Sequence, residues 1–188
     1  MSYELPRTLE VNGTEYDIRT DYRAVLRVLE AMNDPDLDDA EKALVAFKII
    51  YEDFDELPTD DYEEAFGKLM WFINNGEDAN ENRGRPKQKL MDFVQDEKIL
   101  IPAVNRVAGR EVRDMDYLHW WTFLGYYMEV GECTFSTVMN IRSKRAKGKK
   151  LEEWEKEFFD SNRDLVVIKE RESEKEKEEK KRLLEMLG

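Results

Sequence analysis

The sequence predicts a mainly α-helical fold: a helical bundle entered through a short N-terminal β-hairpin and left through a charged C-terminal helical arm. Three observations predict it. Apolar residues recur at helical spacing through most of the chain. An Asn-Gly pair near the start separates two runs of alternating apolar and polar residues. Near the end, every residue from Lys169 to Arg182 except Ser173 is charged.

The hairpin comes first. Leu9 and Val11 precede Asn12-Gly13, and Tyr16 and Ile18 follow it. Both turn positions of such a hairpin want φ > 0, which Asn and Gly accept most readily. Helices follow. Asp21 can cap one through Met32, with Val25, Leu26, Val28 and Leu29 on its apolar face. Beyond Pro35, Asp38 or Asp39 can cap a second through Tyr51. After Leu57-Pro58, Thr59 or Asp60 can cap a third, carrying Ala65, Phe66, Leu69, Met70 and Phe72. Residues 74–88 hold almost no apolar side chain and read as a surface loop.

Asp92 then opens a helix that includes Phe93 and ends at Gly109, with Pro102 expected to kink or interrupt it. Asp114 or Asp116 opens the most apolar helix, which contains Trp120, Trp121 and Phe123 and is expected at the centre of the bundle. Another helix runs from about Thr134 to Arg145. Trp71, Phe72, Phe93, Trp120, Trp121 and Phe123 are the expected structural core. Composition changes near Arg142, dividing the chain into a hairpin-plus-bundle domain at 1–145 and a linker with a charged helical arm at 146–188. In that arm Leu151 to Phe159 reads as a short amphipathic helix. Leu183, Leu184, Met186 and Leu187 offer docking points at its far end.

Of the 188 residues 41% are hydrophobic, enough for a core, but 39% are charged, against roughly 25% in an ordinary globular domain. Part of that excess must lie in segments that pack little. The net charge of −13 is concentrated: between Glu30 and Glu64 there are 14 acidic residues and two basic ones. Such a face opposes nucleic-acid binding, which depends on releasing counterions from phosphates. It suits a basic protein partner, or keeps the molecule in solution. No apolar stretch is long enough for a membrane span, and Met1–Pro6 lacks the pattern of a signal peptide. With a single cysteine, Cys133, an intracellular setting is expected.

Chemistry has little to work with. One His and one Cys, 14 positions apart, make no zinc site, and no phosphate loop, dinucleotide turn or nucleophile elbow is present. His119, among large apolar residues, reads as a hydrogen-bonded member of a core edge. The expectation is no enzyme, no metal and no cofactor. The basic run Arg142, Lys144, Arg145, Lys147, Lys149 and Lys150 is open to three readings: nucleic-acid contact, solvated linker, or protein contact. No aromatic residue lies within it to stack a base. Trp154, Phe158 and Phe159 follow it, and their apolar face needs a partner, either the body of the chain or another copy. With Arg142, Lys144 and Arg145 they are the candidate protein-binding residues.

Several short motifs occur in order: Ile18-Arg19-Thr20-Asp21-Tyr22-Arg23, then Trp71-Phe72-Ile73-Asn74-Asn75-Gly76, Asp92-Phe93-Val94-Gln95-Asp96, Leu118-His119-Trp120-Trp121-x-Phe123, and Ile141-Arg142. In this ordered set, over roughly Leu5 to Phe159, the chain resembles a family of small proteins of long-tailed phages and prophages of Gram-positive bacteria. Their genes usually lie just before the tape-measure gene. It departs from the family at Val107–Val112, where a Tyr-Gly-Ile-Asp-Leu-like segment is common. The resemblance implies a tail assembly chaperone. Such a protein would coat the tape-measure protein in the host cytoplasm, keep it soluble, recruit tail-tube subunits, self-associate, and leave before the virion is complete. It supplies no catalytic residues. A structural tail or baseplate component, or a small nucleic-acid-binding regulator, are the alternative functions.

Overall fold

The computed structural model describes residues 4–77, 89–169 and 171–187. Strands β1 (Thr8–Val11) and β2 (Thr14–Asp17) pair antiparallel with Leu9 opposite Tyr16 and Val11 opposite Thr14. Asn12 (φ 47°) and Gly13 (φ 82°) form the turn, both in the left-handed region the pair predicts. A lone hairpin is only marginally stable. This one buries Leu9 and Val11 in the core, and β1 packs against the third helix.

Helices α1 (Tyr22–Met32) and α2 (Asp39–Ile50) begin at the expected caps: Asp21 accepts the Arg23 N–H, and Asp38 and Glu41 form a reciprocal capping box. Arg19 closes the other end of α2, its guanidinium donating to the carbonyls of Lys48, Ile49 and Tyr51. The expected cap of α3 (Tyr62–Ile73) is not used. Thr59–Asp61 form a 3-10 turn after Pro58, and Asp61 instead accepts from the Asn12 side chain of the hairpin.

Helix α4 (Glu97–Ala108) begins five residues later than the sequence suggests. Asp92 spends its carboxylate on a turn, accepting from Val94 N–H and Gln95 N–H. Nor does Pro102 end α4. Leu100, Ile101, Ala103 and Val104 on either side of it are all buried, so packing holds both halves despite the one missing backbone donor. Gly109 (φ 69°) terminates the helix. Helix α5 (Trp120–Met128) starts neither at Asp114 nor at Asp116, since Val112–Asp114 form a 3-10 turn; its cap is His119.

Helix α6 is Thr134–Ala146, α7 is Glu153–Ser161, α8 is Arg163–Val166 and α9 is Glu174–Leu187. The main core gathers the hairpin and α1 to α5. A second apolar cluster lies under α6: buried Val138, Ile141 and Val166, with Leu151, Phe158, Phe159 and Leu165 packed against them. Residues 151–168 therefore close onto the body, and the arm that stands clear of the core begins later than the compositional change at 146. None of the described helices is long and apolar enough to cross a membrane. Residues 78–88 of the expected surface loop, and the side chains of Leu184 and Leu187, lie outside the described residues.

Candidate protein-binding surface

The ordered motifs meet one another in space. Thr20 to Tyr22 runs against Leu118 to Trp120 as a short antiparallel bridge. Tyr22 N–H donates to the Leu118 carbonyl (2.9 Å), Trp120 N–H to the Thr20 carbonyl (2.8 Å), and Leu118 N–H to Asp21 Oδ2 (3.0 Å). The Trp120 indole donates to the Ile73 carbonyl (2.9 Å) and the Trp121 indole to that of Phe72 (2.8 Å). Two tryptophans thus add donors to carbonyls in the last turn of α3, that of Phe72 also accepting the Asn75 N–H at 3.3 Å. Gly76 (φ 85°) turns the chain directly under them: a Cβ there would lie 3.3 Å from the Trp121 ring. Phe123 stacks on Tyr22 (4.7 Å between centroids) and on Trp120 (5.7 Å). Phe72, Trp120 and Phe123 are buried, while Trp71, Phe93 and Trp121 pack half-buried against the same core.

His119 serves structure. Its Nδ1 accepts the Trp121 N–H (3.0 Å), so the ring proton sits on Nε2 and is donated to the Pro6 carbonyl (2.9 Å). Burial, opposed by the bond to Pro6, lowers its pKa below the usual histidine value.

Arg142 is not a surface cation. Its side chain is 5% exposed and makes a bidentate pair with Asp96, itself 1% exposed, at 2.7 and 2.8 Å. Its remaining donors reach the carbonyls of Leu90, Leu165 and Val166, so one guanidinium binds the segment before α4 and the end of α8 to α6. Lys144 is likewise turned inward, to the buried Glu155 at 2.7 and 2.8 Å. Lys144 and the Glu152 and Asn140 donors hold the Glu155 carboxyl below the usual range against the opposing effect of desolvation. Arg145 stays at the surface with its guanidinium stacked over the Phe159 ring (4.1 Å), and Phe158 and Phe159 lie half-buried on the second cluster. Three of the six candidate binding residues thus hold the C-terminal segment on the body, as Arg142, Lys144 and Phe158, and Arg145 and Phe159 do so in part. Trp154 alone stands mostly out, 55% exposed.

What faces outward divides by charge. Arg145, Lys147, Lys149 and Lys150 are exposed at the end of α6 and in the turn to α7, and Trp154 follows in the first turn of α7. A cleft of about 630 Å³ opens next to them, floored by Leu90, Val166 and Ile168 and rimmed by Lys89, Arg145, Lys169 and Arg171. The sequence reading missed Lys89 and Arg171 here because only folding brings them to α6. The acidic residues of α1 to α3 are solvent-facing, none of them buried. On α9, Leu183 (56%) and Met186 (80%) are exposed.

Compared with known proteins, residues 1–168 match a family model described as Bacteriophage Gp15 protein. No curated protein and no solved structure matches the chain. The matched span stops where the second apolar cluster ends, just after Val166, and excludes α9.

Proposed function

Because the chain belongs to the bacteriophage Gp15 protein family, we propose that it is a tail assembly chaperone, acting in the host cytoplasm by binding and not by catalysis. Its client is the tape-measure protein, which it keeps soluble while tail-tube subunits are recruited, and it departs before the virion is complete. The observation that carries this reading is the contrast between body and arm. The ordered motifs that carry the resemblance to tail chaperones are engaged in contacts within the chain. The charged helix α9, with Leu183 and Met186 exposed, remains outside the matched family region as a surface for a client. A charged helix whose described apolar side chains Leu183 and Met186 are exposed suits the capture of another helix.

Co-expression with the neighbouring tape-measure protein tests it: that protein should move into the soluble fraction and co-purify with this chain. Finding this chain as a stoichiometric component of purified virions by mass spectrometry would favour a structural tail or baseplate part instead. The regulator reading is weakened, because Arg142 and Lys144 of the basic run are engaged within the protein.

A further inference from the structure

The chain carries two exposed patches of opposite sign that it does not bring together. On the basic side are Arg145, Lys147, Lys149 and Lys150, all exposed, and Trp154, 55% exposed, follows them in the first turn of α7. Among the described residues no ion pair reaches any of these four cations. On the acidic side, Glu52, Asp53, Asp55, Glu56 and Asp60 are exposed around the 3-10 turn at Phe54–Glu56 and the start of the next. The other end of the acidic block is already engaged by the chain's own arm: Arg171 lies 3.8 Å from Glu30, and Glu174 N–H donates to Asp36 (2.9 Å). Among the described residues, no ion pair engages the exposed carboxylates of the turn at 52–60.

We propose that the two patches are the halves of one interface between copies of this chain, the basic end of α6 with Trp154 on one copy seating against the acidic turn 52–60 of the next. Several features argue for a second copy as the occupant. The patches are opposite in sign and nearly equal in charge, four cations against five carboxylates, and the basic run is followed in the first turn of α7 by Trp154, a large exposed aromatic of the kind that anchors interfaces. They lie on different elements, the acidic turn against the hairpin side through Asn12–Asp61 and Asp17–Glu52 contacts, the basic run on α6, which packs on α4 and α8. Where docking joins one patch of each copy, the other patch of each is left at the two ends. A contact of that type is head-to-tail and grows into an open chain unless its rotation closes a ring. The inference shares self-association with the chaperone reading but does not rest on it, since it concerns which surfaces of two copies meet and is tested without a client.

Charge reversal of the full chain tests it by sedimentation velocity. At about 0.1 M salt the Debye length of about 10 Å damps repulsion between copies of like net charge yet leaves contact pairs effective. There the unaltered chain should form concentration-dependent assemblies larger than a monomer, lost at about 1 M salt. The variant K147E/K149E/K150E and the variant D53K/D55K/E56K should each remain monomeric. Their mixture should recover assemblies, because each reversed patch then meets its complement; this recovery also shows that both variants are folded. W154A should weaken association in the otherwise unaltered chain. The proposal is overturned if the unaltered chain is monomeric throughout, or if assemblies persist in either reversed variant alone. It is equally overturned if the mixture stays monomeric, or if removing residues 170–188, and not charge reversal, abolishes association.

Discussion

Replacing Arg142 by alanine would strand the buried Asp96 carboxylate and strip the Leu90, Leu165 and Val166 carbonyls of a shared donor. Breaking a buried ion pair by removing one partner costs about 3–5 kcal/mol, so R142A should show a loss of that order in chemical denaturation. An exposed cation such as Lys149 changed to alanine should cost almost nothing. His119 makes a second prediction, in pH. Its folded pKa is depressed, so between that value and the unfolded 6.5 the unfolded chain binds more protons than the folded one. The contribution to stability is therefore complete above 6.5 and is lost as pH falls toward the folded value, where a proton on Nδ1 would eject the Trp121 N–H from the cap. Thermal unfolding followed from pH 8 to pH 5 should show this decline. Because asparagine can also serve as an N-cap, H119N should flatten it.

At the scale of elements, α9 and the α7–α8 pair look alike in composition but differ in their hold on the body. The start of helix α9 and the residues before it meet the rest through polar contacts, Glu174 N–H to Asp36 and Arg171 to Glu30, whereas α7 and α8 bring Glu155 and Val166 to buried positions and pack Phe158 against the second cluster. Deleting residues 170–188 should leave the melting temperature nearly unchanged. Deletion from residue 147 onward should lower it clearly and expose Val138 and Ile141, which calorimetry and binding of a hydrophobic dye would report. The hairpin, the caps Asp21 and Asp38, and the run of α6 are legible in the sequence because each depends on residues within a few positions. The starts of α4 and α5 are not. Asp92 and Asp114 have the residue type of a cap, but Asp92 serves a turn and Asp114 ends a 3-10 turn, while the actual cap of α5 is a histidine, which cap preferences do not favour. The fate of Arg142 was hidden for a different reason. Its partner lies 46 positions away, and in one dimension it belongs to a run of cations that from Arg145 onward stays at the surface.

Taken as a whole, the molecule segregates its surface charge, acidic over α2 and the turns before α3 and basic at the end of α6, on a core closed by long-range clasps. Charges of both kinds sit at the surface because the core needs only the apolar faces beneath them. The segregation, not the net charge of −13, governs whom the molecule meets at short range. The clasps also have a consequence in time. Asp21 and Leu118, which join the first motif to the fourth, are 97 positions apart, and Asp96 and Arg142 are 46 apart. As the chain emerges from a ribosome, α1 to α3 can form locally, but their closing contacts do not exist until α5 is out, and the second cluster waits for α8. Contacts this distant in sequence are formed late and slow folding. Nascent chains arrested before residue 118 should be cut rapidly by protease across α1 to α3, and those extended past residue 168 should resist. Acquisition of protection in two steps, one for each clasp, is the expected record of how this protein comes together.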